Sequence, residues 1–314
     1  MQPDTLPQAR IAVLVPCYNE AATVVRVVDE FRAALPGAAG YVYDNNSSDG
    51  TAEKAAAAGA VVGRETRQGK GNVVRRMFRE IDADIYVLVD GDATYDAPSA
   101  GRLIAKLREG GNDMVVAARV SQQDAAYRRG HVFGNRMLTG FVAAMFHMTL
   151  RDMLSGYRVF SRRFVKSFPI LSSGFEIETE LTIHALELEM PVAEVETPYY
   201  ARPDGSESKL STWGDGMRIL LTIVRLYRLE RPLAFFTIFG LACAAVAVLL
   251  AVPVVVTYFE TGLVPRLPTA ILSTGLMLTA FLAVACGFIL DTVTHGRREV
   301  KLLAYLAQRG PNER

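Results

Sequence analysis

Two stretches near the carboxyl end, residues 233–259 and 267–290, contain no charged side chain, while every other stretch of similar length carries several. At 1.5 Å per residue they make helices of roughly 40 and 36 Å. Either is long enough to cross a hydrocarbon core of about 30 Å with some tilt, which excludes an ordinary soluble protein; the alternative is a pair of buried core helices. The link from Glu260 to Arg266 contains Gly262 and Pro265, which predicts a tight helical hairpin with both outer flanks on one side. Arg218, Arg225, Arg228 and Arg231 precede the first run, and His295, Arg297, Arg298 and Lys301 follow the second, whereas the link holds Arg266 alone. The positive-inside rule then puts both termini in the cytoplasm. Met1 to Gln8 has no apolar core of the signal-peptide kind, so the preceding residues are expected to stay cytosolic. The Asn-x-Ser sequons at Asn45 and Asn46 are then unused. The spacing predicts a cytosolic domain over 1–212, an amphipathic juxtamembrane helix over 213–231, a transmembrane hairpin over 232–290 and a cytosolic tail over 291–314. The 213–231 segment alternates apolar residues with arginines, a pattern that suits either the headgroup layer or a plain amphipathic core helix.

Formal charge is nearly balanced, 34 basic against 33 acidic residues, so nothing draws the chain to nucleic acid. The three cysteines, Cys17, Cys243 and Cys286, have no metal-ligand spacing and no even count for a disulfide framework.

The first two hundred residues read as alternating strands and helices. Short apolar runs fall at Ile11–Pro16, Tyr41–Tyr43, Ala60–Val62, Ile85–Val89 and Met114–Ala117. Helical patterns lie between them at Ala21–Leu35, Thr51–Ala58, Lys70–Ile81 and Ser99–Arg108. That alternation predicts an α/β domain, an open and mostly parallel sheet with helices on both faces. Such sheets bind ligands beyond the carboxyl ends of their strands. The polar residues fall there: strand one leads into Pro16 to Glu20, strand two into Asp44 to Gly50, and strand four into Asp90-Gly91-Asp92. Any one of these is also a sound turn; Asp49, for instance, stands before a helix opening at Thr51. Three carboxylate-bearing strand ends at one edge make a candidate site.

Asp90 and Asp92 are one residue apart at the end of an apolar strand, so a bend at Gly91 can aim both carboxylates at one cation. Two hard oxygen ligands with open positions suit Mg2+ or Mn2+ shared with a diphosphate. The run from Arg67 to Asn72 opens the next helix and offers backbone N–H groups and Lys70 to a phosphate or sugar oxygen. It fits neither a Walker loop nor a dinucleotide fingerprint, and it also reads as a plain basic loop.

In order, the chain carries Pro16-x-Tyr18-Asn19-Glu20, Asp44 to Thr51, Gly69-Lys70-Gly71-Asn72, Asp90-Gly91-Asp92, Asp152 to Arg158, and Arg202 to Lys209. With these it resembles the family-2 glycosyltransferases of GT-A (Rossmann-like) fold. With the paired apolar runs it is most similar to their polyprenyl-phosphate glycosyltransferases, the group of dolichol-phosphate mannose synthase and undecaprenyl-phosphate glucosyltransferases. The resemblance implies inverting, metal-dependent transfer of a hexose-type sugar from a UDP- or GDP-linked donor to a polyprenyl phosphate at the cytosolic face of the plasma (inner) membrane. It assigns Pro16, Tyr18, Glu20 and Asp44 to the nucleotide, Lys70, Asp90 and Asp92 to diphosphate and metal, and Asp152, Glu178 and Glu180 to the catalytic pocket. A glutamate-rich helix entry accounts equally for the last two. Arg119, Arg128, Arg202, Ser208 and Lys209 are the groups it gives to the lipid phosphate. Homotetramers within the family extend the expectation to a homo-oligomer.

One departure stands out. The better-known lipid-phosphate transferases carry a Gln two positions after the metal aspartates and then a Pro-containing segment, whereas this chain has Ala93-Thr94-Tyr95-Asp96. Thr94 is left to offer an oxygen to the metal and Asp96 to reach the sugar. Two other readings compete. A processive polysaccharide synthase would carry a Gln-x-x-Arg-Trp acceptor motif, but the single tryptophan, Trp213, stands in Ser-Thr-Trp-Gly-Asp. A membrane scaffold with a degenerate transferase domain would not need the aspartate pair.

Overall fold

The computed structural model describes residues 9–121, 151–170, 176–202 and 224–310, together with Gly140 and Gly174. The chain divides into two compact units, one of Met1–Gly216 with Lys301–Arg314 and one of Met217–Val300.

In the first unit the chain runs β1 (Ile11–Cys17), α1 (Val24–Ala34), β2 (Ala39–Asp44), α2 (Thr51–Ala57), β3 (Val61–Arg64), α3 (Lys70–Glu80), β4 (Ile85–Leu88), α4 (Ala100–Glu109) and β5 (Met114–Ser121). It continues with β6 (Arg158–Ser161), α5 (Arg162–Ser167), α6 (Ile177–Glu187) and β7 (Val192–Tyr199). The seven strands form one sheet in the order β3-β2-β1-β4-β6-β5-β7. All pairings are parallel except those of β6, which lies antiparallel between β4 and β5.

Strand side chains alternate between faces, and both faces of this sheet are covered. Val13 and Val15 pack with Val27, Phe31 and Leu107 on one side. Ala12 and Leu14 pack with Met77, Phe78, Phe164 and Leu181 on the other. Burial on both faces is why β1 and β4 read as unbroken apolar runs.

The mostly parallel α/β sheet expected from the sequence is present, with two additions. β6 is only four residues long and opens with a charged residue, and β7 carries Glu194 and Glu196, so neither gives an apolar signal. β5 runs on to Ser121, four residues past the apolar stretch, because β7 supplies a parallel ladder from Ala118↔Glu196 to Ser121↔Tyr199.

The carboxyl-terminal residues belong to this unit from Lys301 on. Lys301 Nζ reaches Glu187 Oε2 at 2.5 Å. The Tyr305 hydroxyl donates to Asp113 Oδ2 at 2.7 Å, and Arg163 lies over the Tyr305 ring while binding Asp113 with two of its nitrogens.

The second unit is built on α7 (Pro232–Thr261) and α8, whose full span is Leu267–Leu306. Both helices are long and apolar enough to cross a membrane, with mean hydropathies of 2.7 and 2.1 over their most apolar windows. Only 11% and 17% of those windows are buried, so these are not core helices wrapped by protein. α7 ends on Gly262 with φ +70°, a left-handed closure that glycine takes without strain. The two helices touch where side chains are small: a Cβ on Gly240 would stand 2.9 Å from the carbonyl oxygen of Ala280. Of the 213–231 segment, residues 224–231 are described, and 224–230 form a helix. In that helix Leu226 is buried and Arg225 and Arg228 are exposed; Trp213 lies outside the described residues.

Candidate active site

The three strand ends singled out in the sequence are cross-tied at the carboxyl edge of the sheet. Cys17 sits opposite Asp44 in the β1–β2 register, and the Asn45 N–H donates to the Cys17 carbonyl at 2.9 Å. The Glu20 N–H donates to Thr51 Oγ1 at 2.9 Å, and Asp49 Oδ2 accepts from the Ala21 N–H at 3.0 Å. The buried Thr23 hydroxyl donates to the Gly91 carbonyl at 2.6 Å, which fixes the bend between the two aspartates.

Around that bend is a knot of charge. Lys70, the first residue of α3, places Nζ between Asp90 Oδ1 and Glu178 Oε1. Burial would lower the Lys70 ammonium, but the two carboxylates overcome it and hold the group above the ordinary lysine range. Asp92, 4% exposed, receives Arg202 Nη2 on Oδ2 at 2.7 Å. Its other oxygen accepts from the Thr94 hydroxyl at 2.6 Å and the Thr94 N–H at 3.2 Å. Behind Asp90 stands Gly156, where any Cβ would run into the Asp90 carboxylate; the Gly156 N–H is held by the buried Tyr95 hydroxyl at 2.8 Å.

Asp90 and Asp92 are the carboxylates the sequence offers to a divalent cation. Among the described residues no set of three or more His, Cys, Asp or Glu side chains forms a metal cage. Two carboxylates with the remaining positions left to water and substrate phosphate is the donor set that suits Mg2+ or Mn2+. The chemistry of the site therefore fits the ion.

The residues the sequence offers to a nucleotide lie beside these carboxylates along the same strand ends. Asp44 is 4% exposed; its Oδ2 accepts from the Ser47 N–H at 3.2 Å, while Oδ1 is buried with no hydrogen-bond partner among the described residues. A buried carboxylate oxygen left unsatisfied is costly. Tyr18 is exposed, and Pro16 and Glu20 are half-buried. Asn45, which read as an ordinary turn residue, spans two segments: its Nδ2 donates to the carbonyls of Glu65 and Arg67, and its Oδ1 accepts from the Gly69 N–H at 2.7 Å. It thereby sets the loop that delivers Lys70.

Comparison with known proteins decides the family. The model of glycosyl transferase family 2 matches residues 12–168. Glycosyltransferase AglJ of Haloferax volcanii is 35% identical over 243 residues, 77% of this chain and 80% of that protein. The chain belongs to glycosyl transferase family 2. The dolichol-phosphate mannosyltransferase of Pyrococcus furiosus is 25% identical over 234 residues, 71% of this chain and 64% of that one. Among solved structures, glucosyl-3-phosphoglycerate synthase of Mycobacterium tuberculosis, crystallised with Mn2+, UDP-glucose and glycerol 3-phosphate, superposes with a TM-score of 0.54. It is 25% identical, covering 68% of this chain and 80% of that one. These neighbours share the GT-A fold.

Within this glycosyltransferase, the residues expected at the acceptor side divide. Arg119 makes a two-pronged ion pair with Asp152, Nε to Oδ2 at 2.7 Å and Nη2 to Oδ1 at 2.8 Å. Burial pushes the Asp152 carboxyl up, and the Arg119 bonds outweigh it and hold the carboxyl below the usual range; the same pair raises Arg119 against its own burial. Asp152 is thus an anchor for Arg119. Arg202 lies at Asp92. Arg128, Ser208 and Lys209 lie outside the described residues. Of the two glutamates, Glu178 joins the charge knot, while Glu180, half-buried, stands roughly 200° further round α6 at 100° per residue.

The segment that departs from the better-known transferases has its own ties. Thr94 serves Asp92 through its hydroxyl. Asp96 is engaged by Ser99 and by the Tyr200 hydroxyl at 3.0 Å, so its carboxylate caps a short 3-10 turn. Arg158, which the sequence placed at the end of a motif without giving it a role, is fully buried. Its guanidinium is pulled down to about 10 by that burial, and it donates to the carbonyls of Met153 and Ser155 and to Thr182 Oγ1, holding the 152–158 turn from inside.

Proposed function

We propose that this glycosyltransferase moves a hexose-type sugar from a nucleoside diphosphate to a polyprenyl phosphate, with inversion at the anomeric carbon, at the cytosolic face of the plasma (inner) membrane. The observation that carries the reading is the convergence of Asp90, Asp92 and Glu178 with Lys70 and Arg202 at the carboxyl edge of the sheet, in a chain that also carries two membrane-length apolar helices. The named relatives support it: one is a dolichol-phosphate mannosyltransferase, and one was crystallised with Mn2+ and UDP-glucose.

In this reading Asp44 and the residues from Pro16 to Glu20 take the base and ribose, with the unsatisfied Asp44 Oδ1 accepting from the nucleoside. Asp90 and Asp92 hold Mg2+ or Mn2+. When bound, the ion neutralises charge developing on the departing diphosphate. Lys70 supplies a second, permanent positive charge to the same oxygens. A phosphate monoester, with its second pKa of about 6, is already anionic at neutral pH, so the acceptor needs no strong general base. What it needs is alignment, the task given to Arg119, Arg128, Arg202, Ser208 and Lys209. Asp152 and Arg158 keep the Arg119 side of the pocket in place. The hairpin orientation follows from the basic flanks, with both termini cytoplasmic, and a homo-oligomer remains part of the proposal.

The test is a panel of radiolabelled nucleotide sugars offered with undecaprenyl phosphate and Mn2+ or Mg2+, read by extraction of labelled lipid. One donor should label the lipid fraction. Asp92→Asn should abolish that labelling by at least about a hundredfold while the protein stays folded and membrane-bound. Full activity in purified Asp92→Asn would reject the metal role.

A further inference from the structure

The Asp90 carboxylate lies between Lys70, which binds Oδ1, and the main chain of Gly156, where a methyl group would overlap Oδ2. A side chain is excluded there, so the carboxylate rests directly on the Gly156 backbone. That backbone is held in turn by Tyr95, whose phenol oxygen accepts from the Gly156 N–H at 2.8 Å. Tyr95 is 5% exposed, and burial raises its pKa above the ordinary phenol range, so it stays protonated and neutral. Edge-on contacts fix its ring against Tyr157 and Tyr199, with centroids 5.6 and 5.3 Å away, and a bridge to Tyr199 fixes its backbone.

The chain reaches Tyr95 from Asp92 by a strained route. Ala93 has φ +56°, a left-handed conformation that a non-glycine residue keeps only where its surroundings over-determine it. Here the Thr94 N–H and hydroxyl bind Asp92, and the Tyr200 N–H holds the Thr94 carbonyl at 2.9 Å. The other residues of the Gly156 turn have ties of their own. The Ser155 hydroxyl donates to the Ala117 carbonyl at 2.7 Å, and Arg158 Nε donates to the Ser155 carbonyl at 2.9 Å. Removing the phenol oxygen therefore loosens the Gly156 peptide and leaves the turn folded.

We propose that Tyr95 is a positioning residue for the cation: its hydroxyl fixes the Gly156 peptide, and that peptide fixes the Asp90 carboxylate where it binds the ion. The proposal rests on the metal reading given above and gives a task to the segment at which this chain departs from the better-known transferases. Thr94 and Tyr95 divide the two aspartates between them, Thr94 acting on Asp92 directly and Tyr95 on Asp90 through one peptide group.

The experiment uses the full chain in detergent and titrates Mn2+ alone, reading free Mn2+ by electron paramagnetic resonance. Tyr95→Phe keeps the ring and its aromatic contacts and should bind Mn2+ about tenfold more weakly than the wild type, the low end of the effect of outer-shell partners on metal affinity. Tyr43→Phe is the control: it removes another largely buried hydroxyl, one that bonds Glu80 at 2.9 Å, and should leave Mn2+ affinity unchanged. Wild-type affinity in Tyr95→Phe, with Asp90→Asn impaired, overturns the role of Tyr95 and leaves the metal reading standing. Equal affinity in wild type and Asp90→Asn removes the metal reading, and the proposal with it. An equal loss in Tyr95→Phe and Tyr43→Phe also overturns it, because the loss then reports general destabilisation. A second measurement uses the unaltered protein. Coupling between two equilibria is reciprocal, so Mn2+ should slow amide hydrogen exchange in the 152–158 peptide about fivefold relative to that of β2. Exchange in that peptide unaffected by Mn2+ overturns the link from Asp90 to Gly156.

Discussion

Arg119 and Asp152 face each other through two parallel hydrogen bonds, and the Arg119 N–H adds a third to the same carboxylate at 3.2 Å. This pair ties the end of β5 to the turn that begins the 152–158 motif. The bidentate form fixes the guanidinium plane as well as its position.

Asp152→Ala should therefore cost about 2 kcal/mol, below the roughly 3–5 kcal/mol of a fully buried pair because Arg119 is about a quarter exposed. Thermal melts of Asp152→Ala, Arg119→Ala and the double variant should give a coupling of similar size. A coupling near zero would mean that the pair contributes nothing beyond its separate contacts.

Gly156→Ala should act on Asp90, the carboxylate proposed to hold the cation, without touching it chemically. The added methyl has to occupy space held by the Asp90 carboxylate, so the carboxylate must move. A displacement of about 1 Å at such a site costs roughly a hundredfold in turnover, and Mn2+ affinity should fall in parallel. Wild-type Mn2+ affinity in Gly156→Ala would contradict the placement of Asp90.

His184 predicts an acid-labile window. Its ring packs against Phe164 and Phe168, and Nδ1 is buried with no hydrogen-bond partner among the described residues. Burial, with Lys301 adding to it, pushes its pKa down to about 3, against about 6.5 for the unfolded chain. As pH falls below about 6.5 the unfolded state takes up the proton first, so stability is lost progressively from there toward pH 3 and is unaffected above. By pH 5 the loss from this group is about 2 kcal/mol. His184→Phe should shrink the difference in melting temperature between pH 7.5 and pH 5; an unchanged difference would assign the acid sensitivity elsewhere.

The hairpin orientation is tested by fusion. A reporter joined after Arg314 should be cytosolic and accessible to protease only in inverted vesicles or opened cells. Accessibility from the outside of intact cells would reverse the orientation derived from Arg218, Arg225, Arg228 and Arg231.

The sheet was legible wherever burial on both faces demanded apolar runs, as in β1 and β4, and the carboxylates were legible because they interrupt those runs. β6 and β7 were not. One is four residues long with a buried arginine at its start, the other alternates with glutamates, and both take their conformation from neighbouring strands rather than from their own composition. The site divides in the same way. Asp90, Asp92, Lys70 and Asp44 announce themselves by position at strand ends or helix starts. The anchoring role of Asp152 depends on a partner 33 residues away, and the internal brace of Arg158 reaches Thr182, 24 residues away, relations no local spacing carries. Arg202 was legible as a cation but not as a partner of Asp92, because that pairing is made from the residues that follow β7.

Asn45 reaches three points of the 65–69 stretch with one side-chain amide. A graft that replaces residues 65–72 with the loop of another transferase, in order to alter sugar preference, inherits this constraint. Unless position 45 travels with the graft, two carbonyls and an N–H lose their partner at once, and the recipient starts with a misplaced lysine. The two stretches are a single exchangeable cassette for engineering, though twenty residues separate them along the chain.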